Sequence, residues 1–185
     1  MPIAEKLRHS SSYRDASDRV RQRIADLREK RRQRAERAKL AVAKETAVPL
    51  EHAVSPEDVA EIEELRDTLL NNPDPDERAD AVFGLSVEDN WDALQALLDA
   101  RNDNDPEVRL EIAQALSDFD EYVTISDLSG LLEDENADVR FEALDIVGDK
   151  ETPEAVEVAR RLMKDPDPDV RSLAEAIVDF SEEDG

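Results

Sequence analysis

Cysteine is absent from this chain of 185 residues. That excludes disulfides, thiol catalysis and cysteine-ligated zinc together, and it leaves the redox compartment open. Histidine occurs twice, at His9 and His52, too few for a histidine-based triad or metal cluster. Glycine occurs four times, spread over positions 84, 130, 148 and 185, which excludes a glycine-rich phosphate loop. No run of eighteen apolar residues is present, so no segment reads as a membrane-spanning helix. The first residues have no apolar core of the secretory kind, and the expectation is a cytosolic protein. Lysine is scarce, with six copies among the 24 basic residues, so arginine supplies 18.

Acid is what the chain has instead. Asp and Glu number 48 against those 24 bases, a net charge of −24. The charge is also divided: residues 1–50 hold 14 basic and 7 acidic side chains, and residues 51–185 hold 10 and 41. Such asymmetry predicts a basic interaction arm and linker over 1–50 joined to an acidic body over 51–185. Few lysines, many acids and no cysteine resemble the composition of salt-adapted archaeal proteins. Surface carboxylates keep a chain dispersed in salt, where a Debye length of about 3 Å at about 1 M suppresses their mutual repulsion.

The arm has strong helix composition from Ser17 to about Lys44, without glycine or proline. Ser17 is the expected N-cap, with Asp15 and Asp18 near the positive end of the helix dipole. Val20, Ile24 and Leu27 form one narrow apolar stripe. Around it stand Arg19, Arg21, Arg23, Arg28, Lys30, Arg31, Arg32, Arg34 and Arg37, the candidate partner-binding residues. Docking of arginine forks on a partner protein ranks first. A cap on the chain's own acidic body ranks second, and nucleic-acid phosphates third. No aromatic residue interleaves the basic run, so base stacking is unsupported. The apolar stripe is thin for a lipid surface. Pro49 ends the linker's helical potential, and Ser55-Pro56-Glu57-Asp58 is a strong helix start.

The body repeats. Asp74-Pro75-Asp76-Glu77-Arg78, Asp105-Pro106-Glu107-Val108-Arg109, Asn136-Ala137-Asp138-Val139-Arg140 and Asp167-Pro168-Asp169-Val170-Arg171 place arginine at 78, 109, 140 and 171, a constant step of 31 residues. A fixed step marks a repeat solenoid. Apolar positions keep register: Ala81, Ile112, Ala143 and Ala174 lie three places after the arginine, and Leu85, Leu116, Val147 and Val178 lie seven after. A second helix is expected in each full unit, carrying Leu94 and Leu97, then Ile125 and Leu128, then Val156 and Ala159. The last unit is expected to have one helix and a polar end from Ser181. The fold class is therefore all-α, a solenoid of stacked helical hairpins with an N-terminal basic helix.

The Asp-Pro-x-Val-Arg box followed by an alanine-containing amphipathic helix resembles the HEAT repeat, in the short subtype first named from phycobilin lyases. The resemblance covers residues 56–185 and not the arm. Glu77 stands where valine is usual, and Ala137 where proline is. The resemblance implies a structural ladder of Asp74, Arg78, Asp105, Arg109, Asn136, Arg140, Asp167 and Arg171 that ties adjacent repeats. With no catalytic constellation in the sequence, the expectation is a binding protein without enzymatic activity and without a cofactor: an adaptor, accessory subunit or assembly factor of a larger complex. A concave acidic face and the arginine arm would clasp a partner protein at two places. Nucleic-acid binding through the arm is the alternative, followed by a tetrapyrrole lyase-like role. Asp103-Asn104-Asp105 and Asp165-Pro166-Asp167-Pro168-Asp169 have calcium-loop spacing but lack the glycine and closing glutamate of such loops, and read as helix caps. Trp91 and Tyr122 are the candidate aromatic anchors on the solenoid; Phe83 and Phe119 read the same way.

Overall fold

The computed structural model describes residues 55–88 and 90–183, with Gln22 and Ala25 as isolated helical positions. The expected arm and its basic residues lie outside the described residues, those two positions apart. Among the described residues there are seven α-helices, two short 3-10 turns and no strand. The helices are α1 Pro56–Asn71, α2 Pro75–Ser86, α3 Trp91–Ala100, α4 Pro106–Leu116, α5 Ala137–Gly148, α6 Pro153–Leu162 and α7 Pro168–Glu183. The 3-10 turns are Ser117–Phe119 and Leu131–Glu133.

Each start follows from a side chain that satisfies backbone N–H groups the helix leaves open. Ser55 Oγ accepts from the N–H of Glu57 and of Asp58. Asp74, Asp105 and Asn136 accept from the N–H two places on, as does Asp167, which also takes that of Val170. Asn90 caps α3 and Thr152 caps α6. Proline follows the cap in α1, α2, α4, α6 and α7, where its missing N–H costs nothing.

The chain divides into two compact units, and the division falls within α5 at Ile146. In the unit ending there, α1 packs on α2 and α3, α2 on α3 and α4, and α3 on α4. The apolar columns read from the sequence supply its core. Ala81, Leu85, Ile112 and Leu116 are buried, as are Leu94 and Leu97 of α3 and Ile62 and Leu69 of α1. Gly84 lies where α1 and α2 come close, and a side chain there would displace that of Leu65. A Cβ there would stand 2.8 Å from a methyl carbon of Leu65.

The expected second helix of the middle repeat is not formed. Between Phe119 and Leu131 the chain runs as turns, and Leu131–Glu133 closes with a 3-10 turn. Thr124 and Asp127 do form a helix-opening box, with the Asp127 carboxylate accepting from the N–H and hydroxyl of Thr124. Propagation then fails. Ser126, Ser129 and Gly130 are poor helix formers, and the N–H groups of Asp127 and Ser129 take carbonyls only three places back. Leu128 is nevertheless buried, so the apolar column survives without its helix; Ile125 is half-buried.

In the unit that includes Val147–Gly185, α6 packs against α7. Ala155, Val158 and Ala159 of α6 and Val170, Leu173, Ala174, Ile177 and Val178 of α7 are buried. The helix α7 continues through Ser181 to Glu183, past the expected polar end, because no breaker intervenes.

Candidate functional site: the arginine ladder and the open face of α2 and α4

The repeated arginine closes the first turn of each first helix, on the side that carries the buried alanine, leucine and isoleucine columns. From there its guanidinium reaches in two directions. Backwards, one terminal nitrogen donates to the carbonyl six places earlier: Arg78 to Asn72, Arg109 to Asp103, Arg140 to Asp134 and Arg171 to Asp165. Forwards, the Nε and the other terminal nitrogen grip a carboxylate 25 residues on. Arg78 holds Asp103 at 2.8 Å through both nitrogens, and Arg109 holds Asp134 at 2.6 and 3.0 Å. Paired parallel N–H···O bonds of this kind are strong and fix orientation.

The acceptor carboxylates serve the backbone as well. Asp103 accepts from the N–H of Asp105, and Asp134 from that of Asn136. One side chain therefore ties the arginine of one repeat to the cap of the next. Asp74, Asp105 and Asn136 are placed as helix caps, and the carboxylates that face the arginines are Asp103 and Asp134. Neither was read from the sequence as a partner of the arginines, and Asp103 stood there only among the helix caps, although a signal was present. Six places before each arginine stand Asn72, Asp103, Asp134 and Asp165. The first of these is a neutral asparagine, and the residue 25 places before it is Ala47, not arginine.

Burial opposes the charge on Asp103 and Asp134. The hydrogen bonds from Arg78 and Arg109, the backbone N–H bonds and the nearby arginine charges outweigh it, so both carboxyls lie below the usual carboxylate range. The same hydrogen bonds raise Arg78 and Arg109 against the opposing effect of burial.

Outside this ladder, α2 and α4 present a face to solvent. One column, on and just beyond α2, is Asp76, Asp80, Phe83 and Val87; its repeat-related neighbours are Glu107, Glu111, Gln114 and Asp118, and all eight are exposed. Phe83 is 71% exposed and Val87 is 64% exposed, unusual for such side chains. Within residues 55–146 the bases are engaged elsewhere. Residues 55–146 contain five arginines and no lysine against 28 acids. Arg78 and Arg109 are in the ladder, and Arg66 is paired with Asp99 at 2.6 Å. Arg101 donates to the carbonyl of Leu98, and Arg140 to those of Asp134 and Glu135. Trp91, at the first position of α3, is 37% exposed, and Tyr122 is half-buried in the turn after α4.

A cleft of about 470 Å³ between α6 and α7 is lined by Thr152, Val156, Glu157, Arg160, Ile177 and Ser181, among others. Among the described residues no group of three or more His, Asp or Glu side chains is placed to hold a metal ion. Asp103, Asp105, Asp165 and Asp167, from the segments with calcium-loop spacing, are engaged with backbone N–H groups. No helix among the described residues is long and apolar enough to cross a membrane.

Repeated capped helices in register, joined by a ladder of arginine forks, define an all-helical repeat protein. A family model of HEAT repeats matches residues 62–140 and 125–178, which together span well over half of the 185 residues. The chain belongs to the HEAT-repeat family. No curated protein matches the sequence. Among solved structures, human deoxyhypusine hydroxylase in complex with glycerol is similar, with a TM-score of 0.56 and 23% identity over 82% of this chain. An engineered protein is similar with a TM-score of 0.51 and 20% identity over 70% of this chain. The chain spans 54% of the hydroxylase and 65% of the engineered protein. These likenesses are likenesses of fold. The first of them corrects the expectation of a chain without enzymatic activity, since an enzyme is built on the same arrangement of helices.

Proposed function

We propose that this protein is a HEAT-repeat scaffold that binds a partner protein in a larger complex, as an adaptor, accessory subunit or assembly factor. The observation that carries this reading is the engagement of every arginine in residues 55–146. Residues 55–146 spend their positive charge on their own cohesion and leave an acidic, partly apolar helical face to solvent. The sequence over residues 1–50 carries charge of the opposite sign, 14 bases against 7 acids. A scaffold with two such oppositely charged parts holds a partner, or two partners, at two places.

The test is charge reversal within the full chain. Arg31→Glu, Arg32→Glu and Arg34→Glu together lie outside the repeats. The expected result of affinity purification from the native cell is loss of the partner with an unchanged helical signal. Equal recovery of the same partner by the variant overturns the role of the arm. Recovery of nucleic acid, released steeply as salt rises, overturns the protein-partner reading, because phosphate contacts release counterions.

The acid surplus supports a protein suited to high salt. The 28 acids of residues 55–146, set against only five arginines, repel one another in dilute buffer. The melting temperature is expected to rise as KCl approaches about 1 M, where screening is nearly complete. A melting temperature that is flat or falls with KCl would remove this reading.

A further inference from the structure

The repeat offers an internal comparison. Two, five and nine places after the arginine, each repeat carries the same three columns. On and just beyond α2 they are Asp80, Phe83 and Val87, and in the next repeat Glu111, Gln114 and Asp118, all exposed. On α5 and just beyond it they are Glu142, Asp145 and Asp149, and on α7 Leu173, Ala176 and Phe180, all buried. The same columns are therefore open in the first two repeats and covered in the last two.

The covered residues show what chemistry those columns accommodate. Buried carboxylates require positive or hydrogen-bonding partners, and Glu142, Asp145 and Asp149 are each engaged. Buried Leu173, Ala176 and Phe180 require apolar cover. The open pair of helices carries the same two chemistries. Acids line it at Asp76, Asp80, Glu107, Glu111 and Asp118, and Phe83 and Val87, four places apart, form an apolar spot at its end.

We propose that the exposed face of α2 and α4 is a docking site for a basic amphipathic helix of a partner protein. Its arginines or lysines would pair with Asp80, Glu107 and Glu111, and a bulky apolar side chain would rest on Phe83 and Val87. Complementary charge sets the sign and speeds encounter. The aromatic and aliphatic pair supplies the desolvated anchor that gives most of the affinity. An amphipathic helix laid on such a surface is a recurrent mode of peptide recognition. This inference rests on the scaffold reading and names the place and the partner class.

The test uses the full chain and a fluorescein-labelled synthetic helix. The helix carries leucine at every third and fourth position and arginine elsewhere. A second helix with glutamate in place of arginine is the control. Saturable binding of the arginine helix is expected by fluorescence anisotropy, with none of the glutamate helix. The double variant Phe83→Ser, Val87→Ser is expected to weaken that binding at least tenfold. Its melting temperature should be unchanged, because both side chains are exposed. Asp80→Asn with Glu111→Gln is expected to weaken binding and to flatten its salt dependence. Equal binding by wild type and the Phe83, Val87 variant overturns the site, as does absence of binding to wild type. If those substitutions instead convert an oligomer of the free protein to a monomer in sedimentation, the occupant is a second copy and the partner class is wrong. Should the variant still recover the native partner, the site falls while the scaffold stands; should wild type recover none, the scaffold reading itself falls.

Discussion

Replacing Asp134 by alanine is expected to cost about 3–5 kcal/mol of stability, the range found when one member of a buried ion pair is removed. The carboxylate is 7% exposed and the Arg109 side chain 10%. Without Asp134 the Nε and one terminal nitrogen of Arg109 lose their acceptor, and the guanidinium stays under cover. The N–H of Asn136 loses its acceptor too, so the opening of α5 loosens. Glu135, 86% exposed and 3.5 Å from Arg109, is too solvated to replace it. Urea unfolding measures the loss. The double variant Arg109→Leu, Asp134→Leu should lose less than the sum of the two single changes, by at least about 1 kcal/mol, since the paired groups couple directly. An additive result would show that the fork contributes nothing as a pair. Acid provides an independent check. The folded-state carboxyls of Asp103 and Asp134 are depressed, so their contribution is complete above the unfolded value of about 3.9 and is lost as pH falls through the folded value. Wild type should therefore lose stability below about pH 4, and Asp134→Ala should lose less over the same interval.

Leu97→Ala is expected to cost about 2–5 kcal/mol. Leu97 is wholly buried on α3, and α3 is in contact with α1, α2 and α4. Three neighbours hold the walls of the resulting void apart, so collapse is incomplete and the cavity cost is added to the lost transfer energy. Leu97→Met, which keeps the volume, should cost less than about 1.5 kcal/mol. Similar losses for the two variants would mean that the site responds to shape and not to volume. Against a typical total of about 5–15 kcal/mol, the alanine change removes a large share of the stability available.

The helical repeats were legible because three independent signals share one period. The cap and the arginine recur every 31 residues, with proline after the cap in three of the four repeats, and the apolar columns recur with them. The middle repeat escaped the reading because Ile125 and Leu128 have helical spacing. Spacing records which residues are buried and not whether the backbone between them forms a helix. Ser126, Ser129 and Gly130 held that second piece of information. The ladder was half legible. Its arginines stood out, and the capping acids beside them drew the pairing, since adjacency in sequence looks like a partnership. The true acceptors, Asp103 and Asp134, lie 25 residues on, and only the second register of Asx residues marks them. Phe83 was readable as a candidate aromatic anchor, but the extent of its exposure was not. The sequence around it, Ala81-Val82-Phe83-Gly84-Leu85, is apolar on both sides, and only the fold separates the buried Ala81, Val82 and Leu85 from the exposed Phe83.

The forks also bear on how the chain acquires its structure. Each closes a loop of only 25 residues, and the cost of closing a loop grows slowly with its length. Contacts this local in sequence favour rapid folding. During synthesis, Arg78 can pair once the segment carrying Asp103 has left the ribosome, and Arg109 once the segment carrying Asp134 has. The repeats can thus be latched one after another in the order in which they leave the ribosome, each cap secured by the arginine that preceded it.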